Sequence, residues 1–235
     1  MKILAVGCHP DDLEIACYGT LAKYVKQGHD VAVCHIANGN LGHVVIMPEE
    51  LGKVRFKEAE EASKIIGASH YSIDIGDLYV TAENDDLISK LAAVVRDVQP
   101  DVVITHNEQD YMNDHMQTYY ATFRATFGAS CPHYDLNANP ASAPLAPMYL
   151  MDTVSGAGFL PTEYVDISDV METKLEALSC HKSQLEWMSE HDGIDFLDFV
   201  RTCSKVRGYQ CGVKYAEGFR LCRNYLRMVP RRLLP

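Results

Sequence analysis

The chain has 235 residues and a formal net charge of −11, which makes nucleic acid a poor partner, because phosphate binding calls for a basic surface. An apolar fraction of 47% and a charged fraction of 23% are those of an ordinary globular protein, and one α/β domain over 1–235 is expected. The apolar opening is cut short by Asp11 and Asp12, too soon for a signal-peptide core or a membrane span, so the expectation is a cytoplasmic protein.

Ile3 to Gly7 reads as a buried strand, and residues 12–27 carry apolar groups at helical spacing up to Gly28. "DVAVCHIA" (30–37) is a second strand, followed by the turn-rich "NGNLGH" (38–43). Residues 49–66 are helical and stop at Gly67; His70 to Ile75 is a short strand; residues 85–98 form a helix that ends at Gln99-Pro100. "DVVIT" (101–105) is β-branched and reads as a strand, and His115 to Phe127 as a helix. Residues 128–147, rich in Ala, Pro, Asn and Ser, read as a long covering loop. Strands at 147–153 and 163–168 and helices at 169–181 and 194–211 complete the reading. The alternation implies βαβ units and a mostly parallel, Rossmann-like sheet flanked by helices. Eight cysteines occur without a CxxC pair, and most of them read as buried small hydrophobes.

In such a sheet, ligands bind beyond the carboxyl ends of the strands, where the strand order reverses. An order of 3-2-1-4-5 makes the first and fourth strands neighbours. "HPDD" (9–12) and "HNEQDYMNDH" (106–115) then face each other across one crevice. That crevice gathers His9, Asp11, Asp12, His106, Asp110, Asp114 and His115. Two histidines and one aspartate suit zinc with an open position for water, and a spare carboxylate serves as general base. Of the adjacent Asp11 and Asp12, one as ligand and one as base is a sensible division. An aspartate after a strand is also a common helix N-cap, and a lone "HPDD" would more often be that. No GxGxxG follows the first strand, which argues against a dinucleotide.

"CHPDDLEIACYGTLAKYVKQGHDV" (8–31) and "THNEQDYMNDHMQ" (105–117) resemble the two motifs of the LmbE-like, or PIG-L, family of metal-dependent N-deacetylases. "RFKEAEEASKIIGA" (55–68), "PTEYVDISDVMETKLEALSCHKSQ" (161–184) and "GVKYAEGFR" (212–220) extend the resemblance over most of the chain. It implies an LmbE-like fold with catalytic Zn²⁺, or iron on the same donors. By motif position His9, Asp12 and His115 would be the ligands and Asp11 the general base. Asp114 would hold a catalytic imidazole or order His115, and Arg55 would touch substrate. A plain alternative for Arg55 is a surface helix arginine paired with Glu58 or Glu61.

Two departures from the family stand out. Its second motif has a histidine where this chain has Met112, and a thioether cannot donate a hydrogen bond. His106, Tyr111 and His181 are the candidates to replace it. The "NGNLGH" loop lacks the acidic residue many relatives carry, which leaves Asn40 and His43 as candidate substrate contacts. The arginines at 220, 223, 227, 231 and 232 read as a solvated basic face or an anion contact. The expected activity is removal of an N-acyl group, acetyl above all, from a small-molecule amino sugar such as an N-acetylglucosamine conjugate. The alternatives are hydrolysis of another amide or ester in a small metabolite or thiol conjugate, or a member with lost catalysis. A homo-oligomer is in keeping with the family.

Overall fold

The structure is a computed structural model that describes residues 1–135 and 141–235. Its centre is a seven-stranded sheet in the order β3-β2-β1-β4-β5-β7-β6. The strands are β1 (Lys2–Gly7), β2 (Asp30–Ala37), β3 (Ser69–Ile75), β4 (Val102–Thr105), β5 (Met148–Met151), β6 (Glu163–Asp166) and β7 (Ala216–Leu221). Strands β1 to β5 are parallel, and β7 runs antiparallel to both β5 and β6. The expected 3-2-1-4-5 order is therefore present, and β1 and β4 lie side by side with Val6 opposite Thr105.

β1 shows why the sheet is covered on both sides. Ile3 and Ala5 enter one apolar cluster and Leu4 and Val6 the other, and all four are fully buried. A strand buried on both faces reads as a continuous apolar run, as "ILAV" does. The flanking helices are α1 (Asp12–Ala16), α2 (Tyr18–Lys26), α3 (Pro48–Ile66), α4 (Asp85–Val98), α5 (Asn113–Ser130), α6 (Met171–Leu178), α7 (Lys182–His191) and α8 (Phe196–Cys211).

Several elements differ from the sequence reading. The helix expected over 12–27 is two helices, broken where Cys17 leaves helical geometry at φ −145°. The α7 helix was not foreseen, because "KSQLEWMSEH" buries only Ser183 fully and has no clear apolar stripe. β7 was missed because Glu217 and Gly218 interrupt its apolar pattern. Both residues are buried: Glu217 accepts hydrogen bonds from Gly19 N (2.9 Å) and Thr20 N (2.7 Å) and pairs with Lys174 Nζ at 2.6 Å. Breaking a buried ion pair from one side typically costs about 3–5 kcal/mol. Lys174→Met should therefore lower the unfolding free energy from urea denaturation by that order, while the Lys174→Met, Glu217→Gln double variant recovers part of it.

The loop expected over 128–147 is shorter, since α5 continues to Ser130. Its described parts do not cover the crevice. Arg96 donates to the carbonyl oxygens of Ala129, Cys131, Tyr134 and Asp135, and Ala143 is buried in the core. Residues 136–140 lie outside the described residues. The basic C-terminal run is not one solvated face: Arg227 is buried over the Phe123 ring, with its guanidinium carbon 4.4 Å from the ring centre. Arg220 pairs with Glu108 at 3.0 Å. No helix among the described residues is long and apolar enough to cross a membrane. All eight cysteines are free.

Candidate metal and catalytic site

The loops after β1, β2, β3 and β4 open on one edge of the sheet. There Cys8 N donates to His106 Nε2 at 2.9 Å and stitches the β1 loop to the β4 loop. Asp12 stands at the centre and belongs to two groups of buried donors, one with Cys8 and His9, the other with His106 and His115. Within each group the donor atoms lie within 4.8 Å of one another.

Chemistry sorts these donors. His106 Nε2 accepts the Cys8 amide hydrogen, so its lone pair is occupied; burial and the neighbouring His115 hold this imidazole below its usual range, hence neutral. Burial pushes the Cys8 thiol up, away from the thiolate a metal needs. The family resemblance gives the ligand role to His9, Asp12 and His115; Asp12 is common to both groups, His9 belongs to the first and His115 to the second. Asp12 Oδ2 lies 3.4 Å from His9 Nδ1, and Asp12 Oδ1 lies 3.3 Å from His115 Nε2. Two donors about 2.1 Å from a tetrahedral zinc stand about 3.4 Å apart, so these separations fit.

The electrostatics agree. Burial alone would raise the Asp12 carboxyl, but His115 above all, with His9, overrides it and holds it well below the usual range. Burial would lower His115, yet Asp12 and Asp110 lift it to about 10. The pocket thus favours positive charge between Asp12 and the imidazoles, the preference a divalent cation satisfies. Each histidine is held from behind. Asp110 Oδ1 takes His115 Nδ1 at 3.1 Å, and Asp114 Oδ2 lies 3.4 Å from His9 Nε2 while accepting Leu78 N at 2.7 Å. Carboxylates of this kind fix ring orientation and raise ligand basicity. Asp114 therefore faces His9, and the carboxylate behind His115 is Asp110.

Asp11 occupies the N-cap position of α1, but its side chain makes no capping bond. Its backbone is held at φ 116°, a costly conformation for a residue with a Cβ. The carboxylate turns instead to Arg55, with Oδ2 3.1 Å from Nη2. Burial pushes the Asp11 carboxyl up, and the Arg55 guanidinium pulls it partly back, to about 6. A carboxyl near 6 is ionised at neutral pH and still basic enough to take a proton.

Arg55 is not a surface residue of α3. It is 3% exposed, donates to the carbonyl oxygens of Pro10 and Gly39, and passes so close to Gly39 that a Cβ there would fall 2.6 Å from its Cδ. Glu58, one partner considered for it, instead binds Ser183 and ties α7 to α3. Replacing Arg55 removes the nearby positive charge, so the Asp11 carboxyl rises. Arg55→Met should move the acid limb of the kcat/KM profile from about pH 6 upward by about 1 unit, read from rates across pH.

The cleft has a volume near 360 Å³, and His9, Asp11, Asp12, Arg55, Tyr111, Met112 and His115 all line it. The other candidates lie elsewhere. His181 is fully buried, with Nε2 3.1 Å from Glu14 Oε1. His106 is buried beneath His115, their rings stacked at 4.3 Å. Asn40 accepts Asp77 N at 3.0 Å, and His43 Nδ1 accepts Val45 N and Ile46 N, so both tie their loop together. Neither lines the cleft.

Sequence reasoning missed Asp77, Gln184, Met188 and Phe196, which do line it. Asp77 accepts Gly39 N at 2.8 Å and Leu41 N at 2.9 Å, clamping the loop after β2 to the loop after β3. Its signal was available: it follows the third parallel strand, at the edge where ligands bind.

Known proteins resemble this chain over nearly its whole length. Diacetylchitobiose deacetylase of Thermococcus kodakarensis is 28% identical over 230 residues, covering 93% of this chain and 82% of the relative. The structure of N,N'-diacetylchitobiose deacetylase from Pyrococcus horikoshii superposes with a TM-score of 0.80 at 26% identity, covering 94% of this chain and 83% of that one. GalB, the 4-carboxy-2-hydroxymuconate hydratase from Pseudomonas putida, superposes with a TM-score of 0.82 at 25% identity, covering 99% of this chain and 100% of that one. The family model described as GlcNAc-PI de-N-acetylase matches residues 4–126, just over half of the sequence and the part that carries both groups of buried donors, so the chain belongs to the PIG-L family.

Proposed function

We propose that this chain is a zinc-dependent N-deacetylase that removes an acetyl group from an amino sugar or its conjugate. The observation that carries the reading is Asp11, released from capping duty and aimed by Arg55 next to Asp12, whose carboxylate lies 3.4 Å from His9 Nδ1 and 3.3 Å from His115 Nε2. Zinc on those three residues would supply a Lewis acid for the amide carbonyl and for the attacking water. Asp11 takes the proton of that water as the new C–O bond forms. It then returns the proton to the nitrogen as the C–N bond breaks, giving acetate and the free amine.

Tyr111 takes the place of the missing histidine. Of the three candidates it alone lines the cleft, and its ring meets His115 edge-on at 5.6 Å. The residue is 74% exposed at the mouth of the cleft, while desolvation of its hydroxyl and the negative charge of Asp12 and Asp110 push that group up to about 12, so it remains a neutral donor for the oxygen that gains charge. Tyr111→Phe should lower kcat by about 10²-fold with metal content unchanged, measured on zinc-loaded protein.

The hydratase GalB motivates a second reading, addition of water to a carboxylate-bearing substrate. Among the lining residues Arg55 is the single Lys or Arg, and it is committed to Asp11 and two carbonyl oxygens. A substrate with several carboxylates finds no free cationic side chain there, which favours deacetylation. Zinc-loaded protein offered N-acetylglucosamine conjugates and, separately, 4-carboxy-2-hydroxymuconate should release acetate from the first and leave the second unconsumed. Consumption of the second alone would replace the first reading with the other.

A further inference from the structure

The walls of the cleft differ sharply from its floor. The floor is charged and spoken for: Asp12 by the imidazoles, Asp11 by Arg55, and Asp77 by two backbone amides. The walls are Leu41, Leu78, Met112, Val154, Met188 and Phe196, with Tyr111 at the rim. Gln184 is the one uncharged hydrogen-bonding amide side chain among the lining residues, and its Oε1 is buried without a partner.

A sugar standing alone carries several hydroxyls, each of which loses hydrogen bonds to water on entering a site and needs them replaced. These walls cannot replace that many. They reward instead an apolar group that releases water from both surfaces.

Leu78 makes the point most strongly. Its side chain is 67% exposed although it stands at the cleft, and its backbone is held at φ 68°, where a leucine is strained. Asp114, the same carboxylate that backs His9, holds it there through its amide. A strained, exposed leucine fixed to the metal-site scaffold has no packing role that would repay the strain.

We propose that the substrate carries an apolar substituent, aryl or alkyl, next to the acetylated sugar, and that this substituent rests on the wall formed by Leu41, Leu78, Met112 and Met188. This rests on the deacetylase reading and deepens it: the sugar places its acetamide over the floor, and the aglycone supplies the affinity.

The test compares N-acetylglucosamine with its phenyl β-glycoside on zinc-loaded protein. The phenyl compound should have a kcat/KM at least about 10-fold higher, which is about 1.4 kcal/mol of added transition-state binding. Leu78→Asn, which tolerates positive φ, and Met188→Gln should each bring that ratio toward one. A ratio near one in the unsubstituted protein overturns the proposal. If neither compound is turned over, the deacetylase reading fails on its own, and calorimetric binding decides the inference. Phenyl glycoside binding at least about 10-fold tighter than the sugar supports it, and equal binding overturns it.

Discussion

Asp11→Asn should keep its metal and lose activity by about 10²–10⁴-fold, the range a positioned general base contributes. The amide of asparagine fills the same volume and can still accept from Arg55, so the strained turn and the donor set behind it should survive. What it cannot do is take a proton. The expected pattern is unchanged zinc per chain, a near-native thermal transition and a collapsed kcat. Its pH profile should also lose the acid limb near 6, because the group that titrates there is gone. Activity close to the unsubstituted level would remove Asp11 from the role assigned to it and leave only its contact with Arg55.

Asp12→Ala should have the larger effect, loss of bound metal and with it all measurable turnover. Asp12 is the residue shared by both donor groups, and it is the negative charge that does most to raise the His115 imidazole. Without it the positive charge preferred at this point loses its main cause, and His115 falls back from about 10 toward its ordinary range. The variant should bind zinc at least about 10²-fold more weakly, and its His115 resonance should titrate at a lower pH in metal-free protein. Because Asp12 Oδ2 also accepts His9 N at 2.7 Å, some local loosening of the β1 loop is expected; the circular dichroism of the sheet should not change.

The fold was legible where the physics is periodic. The run "ILAV" and the β-branched "VVIT" became neighbouring central strands because each is buried on both faces, and their adjacency followed from the handedness of the crossovers. That adjacency was enough to bring His9 and His115 to one place from opposite halves of the first 126 residues. β7 and α7 were not legible, for a common reason. Glu217 and Ser183 are polar residues buried by partners from distant segments, Lys174 and Glu58, and no local pattern reveals such a partner.

The site followed the same rule. Of the motif residues beyond β1 and β4, His9, Asp11, Asp12, Tyr111 and His115 reached the cleft, while His106, directly after β4, is buried beneath His115. Asn40 and His43 did not, because their loop spends its polar groups on its own turns and on Asp77. His181 read as a candidate from its motif, yet its imidazole is buried against Glu14 and lines no part of the cleft. The walls came from the loops after β2, β3 and β4 (Leu41, Leu78, Met112), from Val154 after β5, from Met188 of α7 and from Phe196 at the start of α8; of these elements α7 was absent from the sequence reading.

The central claim is that His9, Asp12 and His115 hold a metal ion beside a working base. Metal content and acetate release should be measured on one preparation, first after chelator treatment and again after Zn²⁺ is restored, with a phenyl glycoside of N-acetylglucosamine as substrate. The account predicts about one zinc per chain and turnover that disappears with the metal and returns with it. Turnover that persists in chelator-treated protein, or a chain that takes up no zinc, would contradict it.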